Sequence, residues 1–477
     1  MSNSTETLAR QRICSLLDEK SFMEIGSLVT ARSTDFNLTQ VDAPSDGVIT
    51  GYGLMDGKLV YVYSQDASVL GGTIGEMHAK KIASVYDMAM KMGAPVIGLL
   101  DCAGIRLQES VDALEGLGEV YAKQVEASGV VPQICAVFGT CGGGLTVVPA
   151  LSDFTYLETD SKVFVNSPDA IPGNTKAKCD TSKASYQSEH GGFVDGVGTA
   201  EEIFTQIREL VAVLPSNHLE GGGQESCEDD LNRACENIAA FQQDAALMLS
   251  QISDDHLFIE TKKDHARDMT TGFLKLNGMT VGAVANCICR FDQEGEKAEN
   301  YEAALTVRGL KKAAEFVRFC DAFEIPVLSL TNTEGFSAAM CSEKGLARAM
   351  AQLVSAFASA TVPKVNILTG NAYGSAYVIM NSKAIGADLV YAWDTSKIGM
   401  MDANLAAKIM YEGESASVIE EKAKEYEALQ SSVLSAAKRG YVDLVIAPGD
   451  TRKYAVAAFE MLYTKRTDGI RKKHGSK

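Results

Sequence analysis

Two glycine-rich bends hold the residue types most suited to chemistry in this sequence. FGTCGGGLTVVPALSDF follows the apolar stretch Ile134 to Phe138, and TGNAYGSAYVIMNSK follows Val365 to Leu368. A strand that ends in glycines opening a helix offers backbone N–H groups clear of side chains, backed by a helix N-terminus. Such donors suit an oxyanion, either a thioester enolate or a ureido oxygen on which charge develops. The plainer reading is a tight turn where strand and helix pack closely. Its appearance twice, in matching register, weighs toward chemistry.

The register comes from an internal repeat that covers the elements around both bends. KKIASVYDMAMKMGAPVIGLLDCAG begins at Lys80 and KKAAEFVRFCDAFEIPVLSLTNTEG at Lys311, an offset of 231 that runs without a gap to Gly104 and Gly335. Val131-Pro132 through Gly143-Gly144 keeps that same offset of 231 against Val362-Pro363 through Gly374-Ser375. Ile82, Val85, Ala89 and Met92 follow helical spacing, as do Ala313, Phe316, Cys320 and Phe323, which predicts a buried helical face in each copy. Each half therefore reads as helix, apolar strand, helix, strand, then the glycine turn opening another helix. Alternation of this kind predicts an α/β layout with parallel strands and crossover helices. The segment LPSNHLEGGGQESCEDD (Leu214 to Asp230) has linker composition, so domains are expected at about 1–225 and 226–477.

Composition narrows the classes. A chain of 477 residues with 46% hydrophobic and 22% charged residues is that of an ordinary globular protein. A net charge of −18 argues against a nucleic-acid binder, which needs a basic surface. No signal peptide is apparent at the start, and the uncharged run from Ala127 to Ser152 is broken by Pro132, Pro149 and three glycines, so it predicts a strand, loop and helix start rather than a membrane span. The 11 cysteines form no C-x-x-C pair, as in reduced thiols, and a cytoplasmic location is expected. None of the six histidines is spaced as a metal ligand, so no metal is expected; His78, near a helix start, is expected to be structural or on the surface. Ala89-Met90-Lys91-Met92 spells the tetrapeptide of biotinylated lysines, but it ends a helix where a hairpin tip is required. The basic tail with Lys465, Arg466, Arg471, Lys472 and Lys473 is expected to be a solvated, frayed end. No G-x-S-x-G is present, which speaks against a serine hydrolase.

Several motifs carry a family resemblance. QDASVLGGTIGEMHAKKI, DCAGIRLQESVDAL, GTCGGG with PALSDF, FVRFCDAFEIPVL, ATVPKV and NAYGSAYVIMNSKAIGADLVYAW resemble biotin-dependent acyl-CoA carboxyltransferases. They are similar both to β subunits of acyl-CoA carboxylases and to α subunits of methylmalonyl-CoA and glutaconyl-CoA decarboxylases. The resemblance spans about Ala9 to Tyr463 and implies two tandem crotonase-like (ClpP-like) domains, the first for acyl-CoA and the second for biotin. Carried over by position, Gly143 and Gly144 supply amides to the thioester oxygen, and Gly374, Ser375 and Ala376 do so for the ureido oxygen of biotin. Gly71, Gly72, Gly104 and Arg106 fall on the acyl-CoA side, and Val378 where the family lines the acyl pocket. The resemblance further implies coenzyme A as part of the substrate and biotin on a separate carboxyl carrier protein. It implies a homohexamer, and as further partner either a membrane sodium-pump subunit or a biotin carboxylase subunit. A methylmalonyl-CoA-type decarboxylase α subunit is the leading expectation, with a propionyl- or acetyl-CoA carboxylase β subunit as the alternative. Asn332-Thr333-Glu334-Gly335-Phe336 departs from the family's Asp-x-Pro-Gly-Phe, Gly374-Ser375 from its Gly-Gly, and Leu145 from a small residue. Outside the family, a biotin-independent hydratase or hydrolase requires a carboxylate pair near Gly143, with Asp101 and Glu109 as candidates, and a non-catalytic scaffold requires none.

Overall fold

The structure, a computed structural model, describes residues 7–32, 42–172, 179–221, 223, 226–292 and 294–467. The chain separates into two compact units, Met1–Gly221 and Gly222–Lys477.

Each main sheet contains a hairpin whose turn chemistry is explicit in the sequence. Asp56 and Gly57 (φ 49° and 78°) join β2 (Val48–Met55) to β3 (Lys58–Gln65) after a short β1 (Met23–Ile25). Two successive left-handed residues make the tight turn whose twist matches that of the flanking strands. From β3 the sheet continues in parallel through β4 (Val96–Cys102), β5 (Gln133–Gly142), β6 (Phe154–Glu158) and β8 (Gly196–Gly198), with β7 (Lys162–Phe164) pairing the far end of β5. The helix Glu76–Met92 carries the chain from β3 to β4, and the helix Ser110–Ala127 carries it from β4 to β5. Ile82, Val85 and Ala89 lie in the core beneath Val96, Leu100 and Val137.

The second unit repeats this arrangement. Asn277 and Gly278 (φ 51° and 72°) join β10 (Met269–Leu276) to β11 (Met279–Asn286), beside β9 (Phe258–Thr261). Small ribbons follow, β12 (Cys289–Phe291) with β13 (Lys297–Asn300), and β14 (Ala304–Leu305) with β16 (Gly335–Phe336). β15 (Val327–Thr333), β17 (Lys364–Tyr373), β18 (Leu389–Trp393) and β20 (Leu444–Ile446) extend the main sheet in parallel, and β19 (Lys397–Gly399) pairs the end of β17. β4 and β15, β5 and β17, and the helices Glu76–Met92 and Val307–Ala322 begin 231 residues apart, so the repeat is one of structure as well as sequence. The α/β expectation is met, with an antiparallel hairpin added at the head of each sheet.

Two local expectations are corrected. Met92 is 61% exposed, because the helix ends there and Gly93 turns left-handed, which lifts the last side chain off the sheet. Lys465 is held rather than frayed: its Nζ donates to the Val362 carbonyl at 2.9 Å and to Asp388 Oδ2 at 2.8 Å. Arg471, Lys472 and Lys473 lie outside the described residues.

Candidate functional site

β5 runs to Gly142, and Gly143 then bends the chain with φ 62° into a helical turn that leads into the helix Val147–Leu151. A Cβ on Gly143 meets nothing within 4 Å, so glycine is needed there for its left-handed backbone and not for space. The first N–H groups of a helical turn have no intrahelical acceptor, which leaves the amides of Gly143 and Gly144 as donors. The carbonyls of that bend are occupied instead. Tyr121 Oη donates to the Gly144 carbonyl, and Thr146 Oγ1 to the Gly143 carbonyl at 2.7 Å.

The second bend is built alike. β17 ends at Tyr373, Gly374 has φ 60°, and the helix Gly374–Ile379 begins at once, with Ser375 and Ala376 as its next two residues. Ser375 and Val378 are exposed while Ala376 is buried. A Cβ on Gly374 approaches the Met400 carbonyl oxygen at 3.2 Å, so a neighbouring loop backs this bend.

Gly71, Gly72, Gly104 and Arg106 are brought together in two loops zipped side by side. Ala103 N–H donates to the Gly71 carbonyl (3.0 Å), Ile74 N–H to Gly104 (2.9 Å) and Arg106 N–H to Ile74 (2.9 Å). At Gly72, with φ 62°, a Cβ would overlap the Asp101 carbonyl oxygen, so no other residue fits. Arg106 departs from the expected ligand contact. Its guanidinium is fully buried, donating to Asp46 Oδ1 at 2.6 Å, Glu109 Oε1 at 2.7 Å and the Thr73 carbonyl at 2.8 Å. It pins the loops from within. Burial pushes the Asp46 carboxyl up despite the Arg106 charge.

The two carboxylates considered as an acid–base pair for the Gly143 bend are likewise committed to the framework. Glu109 holds Arg106 with one oxygen and accepts from Glu76 N–H at 2.6 Å with the other. Asp101 Oδ2 accepts from Arg12 at 3.0 Å. Neither is placed as a free acid or base. Among the described residues no group of three His, Cys, Asp or Glu side chains is gathered for a metal ion, and no helix is long and apolar enough to cross a membrane.

His78, expected to be structural or on the surface, is structural. His78 is 0% exposed, and burial pushes its imidazole down to about 3, so it is neutral. It stands between Asp46 and Gln65. In the second unit a cleft of about 470 Å3 opens beside the ends of β15, β17 and β18, lined among others by Gln242, Gln243, Asn332, Glu334, Asn371 and Trp393. A polar residue on an apolar face was the available signal at His78, which falls among core positions of its helix.

Known proteins place these features in one family. The carboxyl transferase domain model matches residues 3–476. The methylmalonyl-CoA decarboxylase subunit alpha of Propionigenium modestum is 37% identical, over 99% of this chain and 93% of its own. The propionyl-CoA carboxylase beta chain of Roseobacter denitrificans is 38% identical, over 98% of this chain and 92% of its own. A crystal structure of the transcarboxylase 12S hexamer with hydrolysed methylmalonyl-coenzyme A bound overlays with a TM-score of 0.91 at 32% identity, covering 98% of this chain and 92% of that one. The fold is thus a tandem pair of crotonase-like domains, and the chain belongs to the biotin-dependent acyl-CoA carboxyltransferase family.

Proposed function

We propose that the chain moves a carboxyl group between a short-chain acyl-CoA, the methylmalonyl-CoA/propionyl-CoA pair, and biotin presented by a separate carrier protein. The reading assigns the acyl-CoA to the domain of residues 1–225 and biotin to residues 226–477. The observation that carries it is the pair of glycine bends, left-handed at Gly143 and at Gly374 and 231 residues apart, each opening a helix, whose leading N–H groups have no intrahelical acceptor and suit an oxyanion.

Carboxyl gain or loss next to a thioester passes through an enolate, whose charge rests on the thioester oxygen. The amides of Gly143 and Gly144 stabilise that charge, and being fixed beforehand they need no reorganisation at the moment of reaction. Biotin, when bound, supplies the carboxyl carrier, and the amides of Gly374, Ser375 and Ala376 hold its ureido oxygen. Gly71, Gly72 and Gly104 let backbone approach the acyl-CoA closely, and exposed Val378 gives the acyl group an apolar wall. Forward and reverse transfer share one transition state, so the same donors serve a decarboxylase and a carboxylase. Direction is then set by the partner: a membrane decarboxylase subunit that drains the carrier, or a biotin carboxylase subunit that charges it. The assembly is a homohexamer like the transcarboxylase core. A hydratase or hydrolase is disfavoured, because Asp101 and Glu109 are already engaged.

The test is decarboxylation of methylmalonyl-, malonyl- and glutaconyl-CoA with and without free biotin. Biotin-dependent turnover, fastest with methylmalonyl-CoA, is expected. Turnover of an acyl-CoA that ignores biotin, or none with any substrate, overturns the reading.

A further inference from the structure

The last residue of each hairpin carries a side-chain amide aimed at the neighbouring parallel strand. Gln65 ends β3, and its Oε1 accepts from the Asp101 N–H of β4 at 3.2 Å. Asn286 ends β11; its Oδ1 accepts from the Asn332 N–H of β15 at 2.8 Å, and its Nδ2 donates to the Asn332 carbonyl. Both amides are buried. They arise from different residue types at equivalent places, which duplication by itself does not require.

The residues they grip bear in turn on the strands that end in the glycine bends. Asp101 and Asn332 lie over Gly139 and Gly370, where a Cβ would overlap their side-chain oxygens. Asn332 Oδ1 also accepts from the Asn371 N–H at 3.0 Å. Gly139 and Gly370 each stand four residues before a left-handed glycine, Gly143 or Gly374. The Asp101 carbonyl, moreover, backs Gly72.

His78 fixes the first amide in one orientation. Its Nδ1 faces the Asp46 carbonyl at 2.9 Å and must donate to it, so Nε2 is an acceptor. Gln65 Nε2, at 3.2 Å, donates to that acceptor, which turns Gln65 Oε1 toward Asp101. A flipped amide would set oxygen against a nitrogen lone pair and an N–H against the Asp101 N–H.

The geometry points to Gln65, oriented by His78, and Asn286 as positioning residues that set the acyl-CoA-side and biotin-side bends respectively. This rests on the proposed function and adds to it which buried side chain governs each half-site. The experiment compares Gln65→Leu and Asn286→Leu with wild type. Steady-state kinetics are measured against methylmalonyl-CoA at saturating biotin and against biotin at saturating methylmalonyl-CoA. Amide hydrogen exchange at Asp101 and at Asn332 is followed in parallel. Gln65→Leu should lower kcat/KM for the acyl-CoA about tenfold and leave that for biotin within about twofold, and Asn286→Leu should do the reverse. Each should speed exchange only at its own strand. Gln65→Asn, too short to span the gap, should behave as Gln65→Leu, whereas His78→Gln, which keeps an acceptor for Gln65, should retain most of the acyl-CoA kcat/KM. Equal losses toward both substrates, or unchanged exchange at Asp101 and Asn332, overturn the assignment. If wild type shows no biotin-dependent turnover, the proposed function fails, and the exchange rates alone decide the clasps.

Discussion

Acidification should expose the burial of His78 as a stability difference. The imidazole is held down to about 3 in the folded chain, against an ordinary value of 6.5, chiefly because burial disfavours its charged form. Below the ordinary value the unfolded chain takes up a proton that the folded chain refuses. Stability from this group is therefore complete above pH 6.5 and is lost as pH falls toward 3. The slope is about 1.4 kcal/mol per pH unit, so lowering the pH to about 5 costs roughly 2 kcal/mol. For a unit of this size that is roughly 4–8 °C in melting temperature. Other groups tilt the opposite way. Asp153, pushed up to about 7 by burial, gains stability on acidification. The informative quantity is thus the difference between wild type and His78→Gln, measured by urea unfolding at about pH 7.5 and about pH 5. Wild type should lose roughly 2 kcal/mol more than the variant over that range. Parallel losses in the two proteins would refute a buried neutral His78.

Other substitutions probe the bends and their supports. Gly143→Ala forces a left-handed alanine into open space, so it should cost only about 1–2 kcal/mol of stability; displacing the donors should cut kcat at least about tenfold, read in the biotin-dependent assay. Arg106→Leu leaves Asp46 and Glu109 buried without a cation and should destabilise by about 3–5 kcal/mol in denaturant unfolding. Tyr121→Phe removes the donor to the Gly144 carbonyl and should cost about 1 kcal/mol, with kcat falling more than KM changes. Lys91 lies at the end of the helix Glu76–Met92 and should remain unlabelled when the chain is incubated with a biotin ligase, as mass spectrometry will show.

The sequence made the core of each unit legible where the repeat is ungapped. From Lys80 to Gly144 the offset of 231 predicts strand, helix and bend together, because an unbroken register preserves which residues face the sheet. Past the glycine bends the offset drifts: β6 and β18 begin at Phe154 and Leu389, 235 residues apart, so the register no longer predicts the later strands. The opening hairpins lie before the ungapped repeat, and their signal is local: Asp56-Gly57 and Asn277-Gly278 mark the turns, but nothing in the 231-residue register points to them. Arg106 illustrates a different limit. A basic residue between a glycine and a helix resembles a substrate contact in one dimension, and only the folded chain reveals Asp46, distant in sequence, beside it. Buried polar contacts such as Gln65 with His78 and Asp101 have no sequence pattern of their own.

The decisive quantity is the polarisation of a bound thioester carbonyl. Isotope-edited infrared spectroscopy of 13C-labelled propionyl-CoA should show the carbonyl stretch shifted to lower frequency on binding wild type, and shifted less on binding Gly143→Ala. A bound carbonyl that absorbs where it does in water, or an identical shift in both proteins, would contradict the role given to the Gly143 bend.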